Sequence, residues 1–177
     1  MQIKFENRYK GDCGRSCLLS VDGTHFRIQH RGREYYSHKF NDSGLSYEVA
    51  VSINSGDICW LNGPFPAGTP DIEIFRKGLM TELEEYECCE ADDGYIGEHP
   101  RHIKCPGGMF TDPERLEVMQ RVRSRQETAN KRFKNWAILN QKFRNCLSLH
   151  ADAFRAIVVI TQLTIEQGEG LFQVMGY

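Results

Sequence analysis

The sequence predicts an α/β fold in a single domain over residues 1–177, and three observations carry that prediction. β-forming runs crowd the first third, helical periodicity dominates the last third, and no repeat or low-complexity linker separates them. A chain of 177 residues is long enough for one core and short for two. With 40% hydrophobic and 26% charged residues, its composition is that of a globular chain, not a disordered one.

Taken in order, the first strand covers Cys17–Val21 and continues to Ile28, and the tyrosine-rich segment Arg33–Phe40 forms a second. Leu45–Ile53 alternates, then turns at Asn54-Ser55-Gly56-Asp57 into Ile58-Cys59-Trp60-Leu61, a hairpin by turn chemistry and flanking residues. The front of the chain is therefore an antiparallel meander. After a Gly/Pro loop, Thr69 as cap and Pro70 at the first position start a helix whose stripe is Ile72, Phe75, Leu79 and Leu83. Cys88–Ala91 makes a short strand running into Asp92, giving the order β-β-β-α-β.

Residues 94–108 read as loop, with Ile103–Cys105 as the one short strand they allow. Thr111 or Asp112, followed by Pro113 and Glu114, starts a helix whose pattern runs from Leu116 to Leu139. Its apolar positions lie at both ends, and residues 123–132 offer no large apolar side chain. Phe154–Ile165 is apolar nearly all round, so periodicity alone does not separate buried helix from strand there. Trp60, Trp136, Phe133 and Phe143 each complete an apolar stripe and are expected in the core.

A net charge of −2 lacks the basic surplus of a typical nucleic-acid binder, although Glu82, Glu84, Glu85, Glu87 and Glu90 concentrate much of the negative charge in one segment. Seven cysteines, an odd number, and a start without a secretory pattern point to a reducing intracellular compartment. The longest apolar stretch is far below the ~20 residues that cross a bilayer, so no membrane association is expected.

Three acids in different settings suggest the chemistry. Asp22 lies at the end of a strand, Asp92 opens Asp-Asp-Gly-Tyr, and Glu127 sits on the polar middle of a helix. If the strands are neighbours these carboxylates converge, and converging carboxylates need divalent cations to offset their repulsion. Around Glu127, Arg123, Lys131 and Lys134 share one helix face at spacings of three and four. An isolated Glu-x-x-x-Lys is ordinarily a solvated ion pair, and only the other two acids raise it above that. Successive strand residues point to opposite faces, so one of Asp92 and Asp93 faces the site. Asp71 sits where a helix dipole favours an acid, and His25 has either an orienting or a purely structural use. His99, His102 and Cys105, with Cys88 and Cys89 upstream, lack the paired spacing of a zinc site and read as an ordinary loop.

The blocks Val21–Phe26, Ala91–Tyr95 and Gln126–Lys134 resemble the three signature blocks of DDE-superfamily endonucleases, in the Harbinger-like group of transposases. Tyr36–Phe40, Asn62–Gly68, Asp71–Arg76 and Gly168–Val174 resemble that group's flanking segments, so the likeness spans most of the chain. The resemblance implies an RNase H-like fold, a mixed five-stranded sheet flanked by helices, with a buried final helix. It also implies Asp22, Asp92 and Glu127 as catalytic residues holding two Mg²⁺ ions, with Mn²⁺ as substitute, for attack on a DNA phosphate. It favours Asp92 over Asp93 and leaves Lys39, Arg123, Lys131 and Lys134 as DNA contacts. A nuclear location is implied too. No segment before Asp22 is long enough for a separate DNA-binding domain, so the expectation is either that this sequence is the catalytic part of a longer protein or that a partner protein supplies target recognition. The alternative is a domesticated, non-catalytic module for DNA docking or protein interaction.

Overall fold

A computed structural model describes residues 3–11, 14, 17–30, 32–39, 41–108, 113–175 and 177. Six strands form one mixed sheet: β1 (Cys17–Arg27), β2 (Tyr36–Ser37), β3 (Asp42–Ser52), β4 (Ile58–Pro66), β5 (Cys88–Glu90) and β6 (Ile103–Lys104). The helices are α1 (Asp71–Lys77), α2 (Leu79–Glu82), α3 (Pro113–Lys134), α4 (Ala137–Asn140) and α5 (Leu147–Glu166). The path across the sheet is β2-β3-β1-β5-β6, and β4 also pairs with β3. β1 runs antiparallel to β3 and parallel to β5, which is parallel to β6. This is the RNase H-like arrangement expected, with six strands rather than five because Ile103–Lys104 joins the sheet.

Helices cover both faces, which explains why the central strand β3 is buried almost throughout although its residues alternate between apolar and polar. Tyr47, Val49 and Val51 pack with Phe133 of α3 and Phe154, Ile157 and Val158 of α5. On the other face Val21 and Ala50 pack with Phe75 and Leu79. Among the described residues no helix is long and apolar enough to cross a membrane.

Several elements depart from expectation, each for a local reason. Arg33–Tyr35 is a 3-10 turn and only Tyr36–Ser37 pairs as a strand, while Phe40 lies outside the described residues. The helix expected through Leu83 breaks at Gly78, whose backbone (φ −128°, ψ −105°) is not helical. A Cβ there would come within 2.2 Å of the Asn62 side-chain nitrogen, so a larger residue would have to displace that side chain. α3 stops at Lys134 instead of reaching Leu139, because the amides of Asn135 and Trp136 tighten onto the carbonyls of Arg132 and Phe133. That break swings Trp136 outward, leaving it 43% exposed rather than in the core, whereas Phe133 and Phe143 are buried. Trp60 is partly buried and donates to Glu48 Oε1 at 3.0 Å. The expected caps Thr111 and Asp112 lie outside the described residues.

Cys17 and Cys88 form a disulfide joining the parallel neighbours β1 and β5. An odd cysteine count does not foretell this pairing. Cys59, Cys89 and Cys105 are buried free thiols and Cys146 is an exposed one.

Candidate active site

The site is assembled by register. On β1, Ser20 stands beside Glu90 of the parallel strand β5. Two residues further along each chain come Asp22 and Asp92, so parallel pairing delivers two carboxylates to adjoining places. Asp22 lies opposite Val49 on its other side. Asp92 then leaves the sheet as the cap of a 3-10 turn, its Oδ1 accepting from the Gly94 amide at 2.9 Å.

The third acid arrives from above on α3, and hydrogen bonds set how that helix is rotated. Arg125, fully buried, donates through Nη2 to the carbonyls of Ser52 and Ile53. Gln126 accepts from Ser20 Oγ at 2.7 Å and donates to the Val49 carbonyl at 3.1 Å. Asn130 donates to Asp22 Oδ2 at 2.8 Å. With these three side chains turned toward the sheet, Glu127 falls at the rim, its side chain 61% exposed and 4.0 Å from Lys131 Nζ.

Asp22, Asp92 and Glu127 line a single cavity of about 290 Å³, together with Lys39, Arg123 and Lys134. The expected acids and three of the four expected cations thus share one wall. Lys131 is not part of it and projects into solvent. Asp93 is turned away, its Oδ1 accepting from the Gly107 amide at 2.7 Å. Glu90, Ser20 and Gln126 also line the cavity and were not singled out by sequence. The signal for Glu90 was available, since it precedes Asp92 by two residues and strand residues two apart share a face.

Electrostatics concentrate on Asp22, whose carboxyl is pushed up to about 7, first by burial and then by the charges of Asp92 and Asp71. Burial also raises the Asp71 carboxyl, whose Oδ1 has no hydrogen-bond partner and lies 4.0 Å from His25 Nε2. His25 is held by Ser46 Oγ at 2.6 Å and pushed down to about 4, first by burial and then by Lys39 and Lys134, so it is neutral near pH 7. The donors facing the cavity are hard carboxylate oxygens, and their mutual repulsion is the kind that a divalent cation relieves. Among the described residues, however, no three His, Cys, Asp or Glu side chains are gathered into a ready-made metal site. This holds for the His99, His102 and Cys105 segment as well, where Cys105 is buried and His99 Nδ1 meets the Ile103 carbonyl at 3.1 Å.

A family model described as DDE superfamily endonuclease matches residues 21–163, from the strand that bears Asp22 to the last turn of α5. No curated protein matches the chain.

Proposed function

The chain belongs to the DDE superfamily endonucleases, and we propose from that membership that it is a metal-dependent catalytic domain that cleaves DNA phosphodiester bonds with Asp22, Asp92 and Glu127. The observation that carries this is the shared cavity, which those three acids line with Lys39, Arg123 and Lys134. Asp22, Asp92 and Glu127 would together hold two Mg²⁺ ions, for which Mn²⁺ would substitute. The ions would supply an activated water or 3′ hydroxyl and neutralise charge on the leaving oxygen.

The chain's own residues have separable tasks in this scheme. Asn130 steadies one oxygen of Asp22 and so helps to hold the carboxylate in the cavity. Lys39, Arg123 and Lys134 line the same cavity as the three acids and would offset the charge of phosphates flanking the cut. Lys131, one turn beyond Glu127 and exposed, is a more distant DNA contact. The sheet and helices act as one catalytic domain over residues 1–177, and the protein works in the nucleus.

A second proposal is a domesticated descendant that docks on DNA or protein without cutting. It draws on the present geometry of the acids: Asp92 caps a turn, and Glu127 leans toward Lys131 at the rim. The two differ in metal-dependent nicking of plasmid DNA. The first expects nicking with Mg²⁺ or Mn²⁺, reduced roughly a hundredfold or more by Asp22→Asn or Glu127→Gln with unchanged circular dichroism. Equal nicking by parent and variants would defeat it. Calorimetric metal titration supplies a second readout, with binding weakened by Asp92→Asn and left intact by Asp93→Asn.

A further inference from the structure

The acid-lined cavity continues in two directions, and the two differ in charge. In the first it shares His25 and Lys134 with a cavity of about 330 Å³, which in turn shares Arg27 and Asn140 with one of about 660 Å³. In the second it shares His25 and Lys39 with a cavity of about 720 Å³ beside the start of α1. Charged side chains along the first direction are Lys134, Arg27, Lys142 and Arg144 against the single acid Asp42, with His25 neutral. The second has Arg33 and Lys39 against Glu34, Asp71 and Glu73, with His38 beside them. In a chain whose net charge is −2, the first direction is a local excess of cations.

Sequence and backbone together fix that excess in place. No acid occurs from Thr128 to Ala151, the stretch that holds Lys134, Lys142 and Arg144. The Phe143 amide donates to the Arg27 carbonyl at 2.9 Å, and the Gln29 amide donates to the Phe143 carbonyl at 2.7 Å. The segment bearing Lys142 and Arg144 is therefore laced to the end of β1, the strand that carries Asp22. Asp22 and Arg27 are separated on it by about 17 Å, at ~3.3 Å per residue. A DNA strand places a phosphate about every 3.4 Å along the duplex axis, so the path spans about five of them. Lys142 is tied to Asp42 at 2.8 Å, which leaves Lys134, Arg27 and Arg144 to meet a ligand. Arg27 and Arg144 are exposed, and neither makes a hydrogen bond or ion pair with another described residue. An acidic protein would answer to the same charge, but continuity with the acid-lined cavity favours a polyanion that begins there.

We infer that DNA leaves the acid-lined cavity along this one trough, its backbone held by Lys134, Arg27 and Arg144, and not past the start of α1. The inference rests on the proposed cleavage for its substrate, and its test is made without metal so that binding and cutting are read separately. Fluorescence anisotropy of a labelled DNA duplex in EDTA, across a salt series, reads the affinity and the number of phosphates neutralised. Arg27→Glu and Arg144→Glu should each weaken binding roughly tenfold at low salt with an unchanged melting profile, because both side chains are exposed. Arg27→Gln and Arg144→Gln should each lower the slope of log affinity against log salt by about 0.9, while Arg33→Gln in the other direction changes neither slope nor affinity. A parent without affinity for the duplex, Arg27 and Arg144 variants that bind like the parent, or an equal loss in Arg33→Gln would overturn the inference. Polyglutamate competing as well as unlabelled DNA would assign the trough to an acidic protein and overturn it too. Binding that depends on Arg27 and Arg144 in a chain that never nicks would uphold the trough and remove the cleavage reading. Metal-dependent nicking with binding unchanged in those variants would do the reverse.

Discussion

α3 and α5 are the two long helices on one side of the sheet and touch through Phe133 and Phe154, whose ring centroids are 5.4 Å apart. They are built in opposite ways. The middle of α3 turns polar side chains inward, with Arg125, Gln126 and Asn130 buried, and its outer side is charged. α5 buries Phe154, Ile157, Val158 and Ile165 and shows apolar residues to the outside as well. The polar groups it does bury have partners: His150 meets the Tyr47 hydroxyl at 2.9 Å, and Gln162 bridges the Ile58 amide and Asp57. Apolar burial is non-directional and tolerates a small rotation of the helix, whereas hydrogen bonds to fixed carbonyls do not. Both helices make directional bonds to the sheet, but on α3 they cluster around Glu127, where Arg125, Gln126 and Asn130 set the rotation of the helix.

The largest expected effect breaks the α5 half of this contrast. Phe154 is fully buried against Phe26, Tyr47 and Phe133, so Phe154→Ala should cost about 4 kcal/mol of unfolding free energy in a denaturant titration. A loss below about 1 kcal/mol would mean that α5 is not held by area.

Glu48 sharpens the contrast from the opposite side, as a buried polar group with incomplete partners. Its Oε1 accepts from Trp60, its Oε2 has no partner, and burial pushes its carboxyl up to about 7. The folded chain therefore keeps this proton up to about pH 7, while the unfolded chain releases it near the ordinary glutamate value of 4.5. Stability is fullest below the lower value and falls as pH rises through the upper one. Glu48→Gln, which keeps an acceptor for Trp60, should remove that fall and gain about 2 kcal/mol at alkaline pH. Melting curves of parent and variant across this range test it, and parallel pH profiles would count against it.

The smallest effect on stability should carry the largest structural information. Gln126→Leu removes the bonds to Ser20 and Val49 at a cost of about 2 kcal/mol or less, yet should lower metal-dependent nicking by more than the stability loss explains, because Glu127 is no longer held at its angle. Nicking that tracks stability alone would show that the rotation of α3 is set elsewhere.

Much of the fold was legible in the residues. Alternation and the Asn54–Asp57 turn mark the β3–β4 hairpin, and the pattern after Pro113 marks α3. The legible part of the site was its three acids, since each lies in a distinctive block. Less legible was the polar middle of α3. Its lack of large apolar residues marked it as a candidate for the chemistry, but the buried partners Arg125, Gln126 and Asn130 look in sequence like the solvated residues around them. Trp136 was misplaced because the break after Lys134 depends on a change of hydrogen-bond pattern that composition does not mark.

Sequence by itself determined the succession of strands and helices, the family, and which carboxylates to watch, because these depend on periodicity and on short local blocks. Only the tertiary structure decided that Asp22 and Asp92 stand side by side, that Asp93 turns away, that Cys17 meets Cys88, and that one side of α5 stays uncovered. Each of these depends on register or on packing between segments far apart in the chain, and one residue's shift in a strand would reverse which side chains face the site.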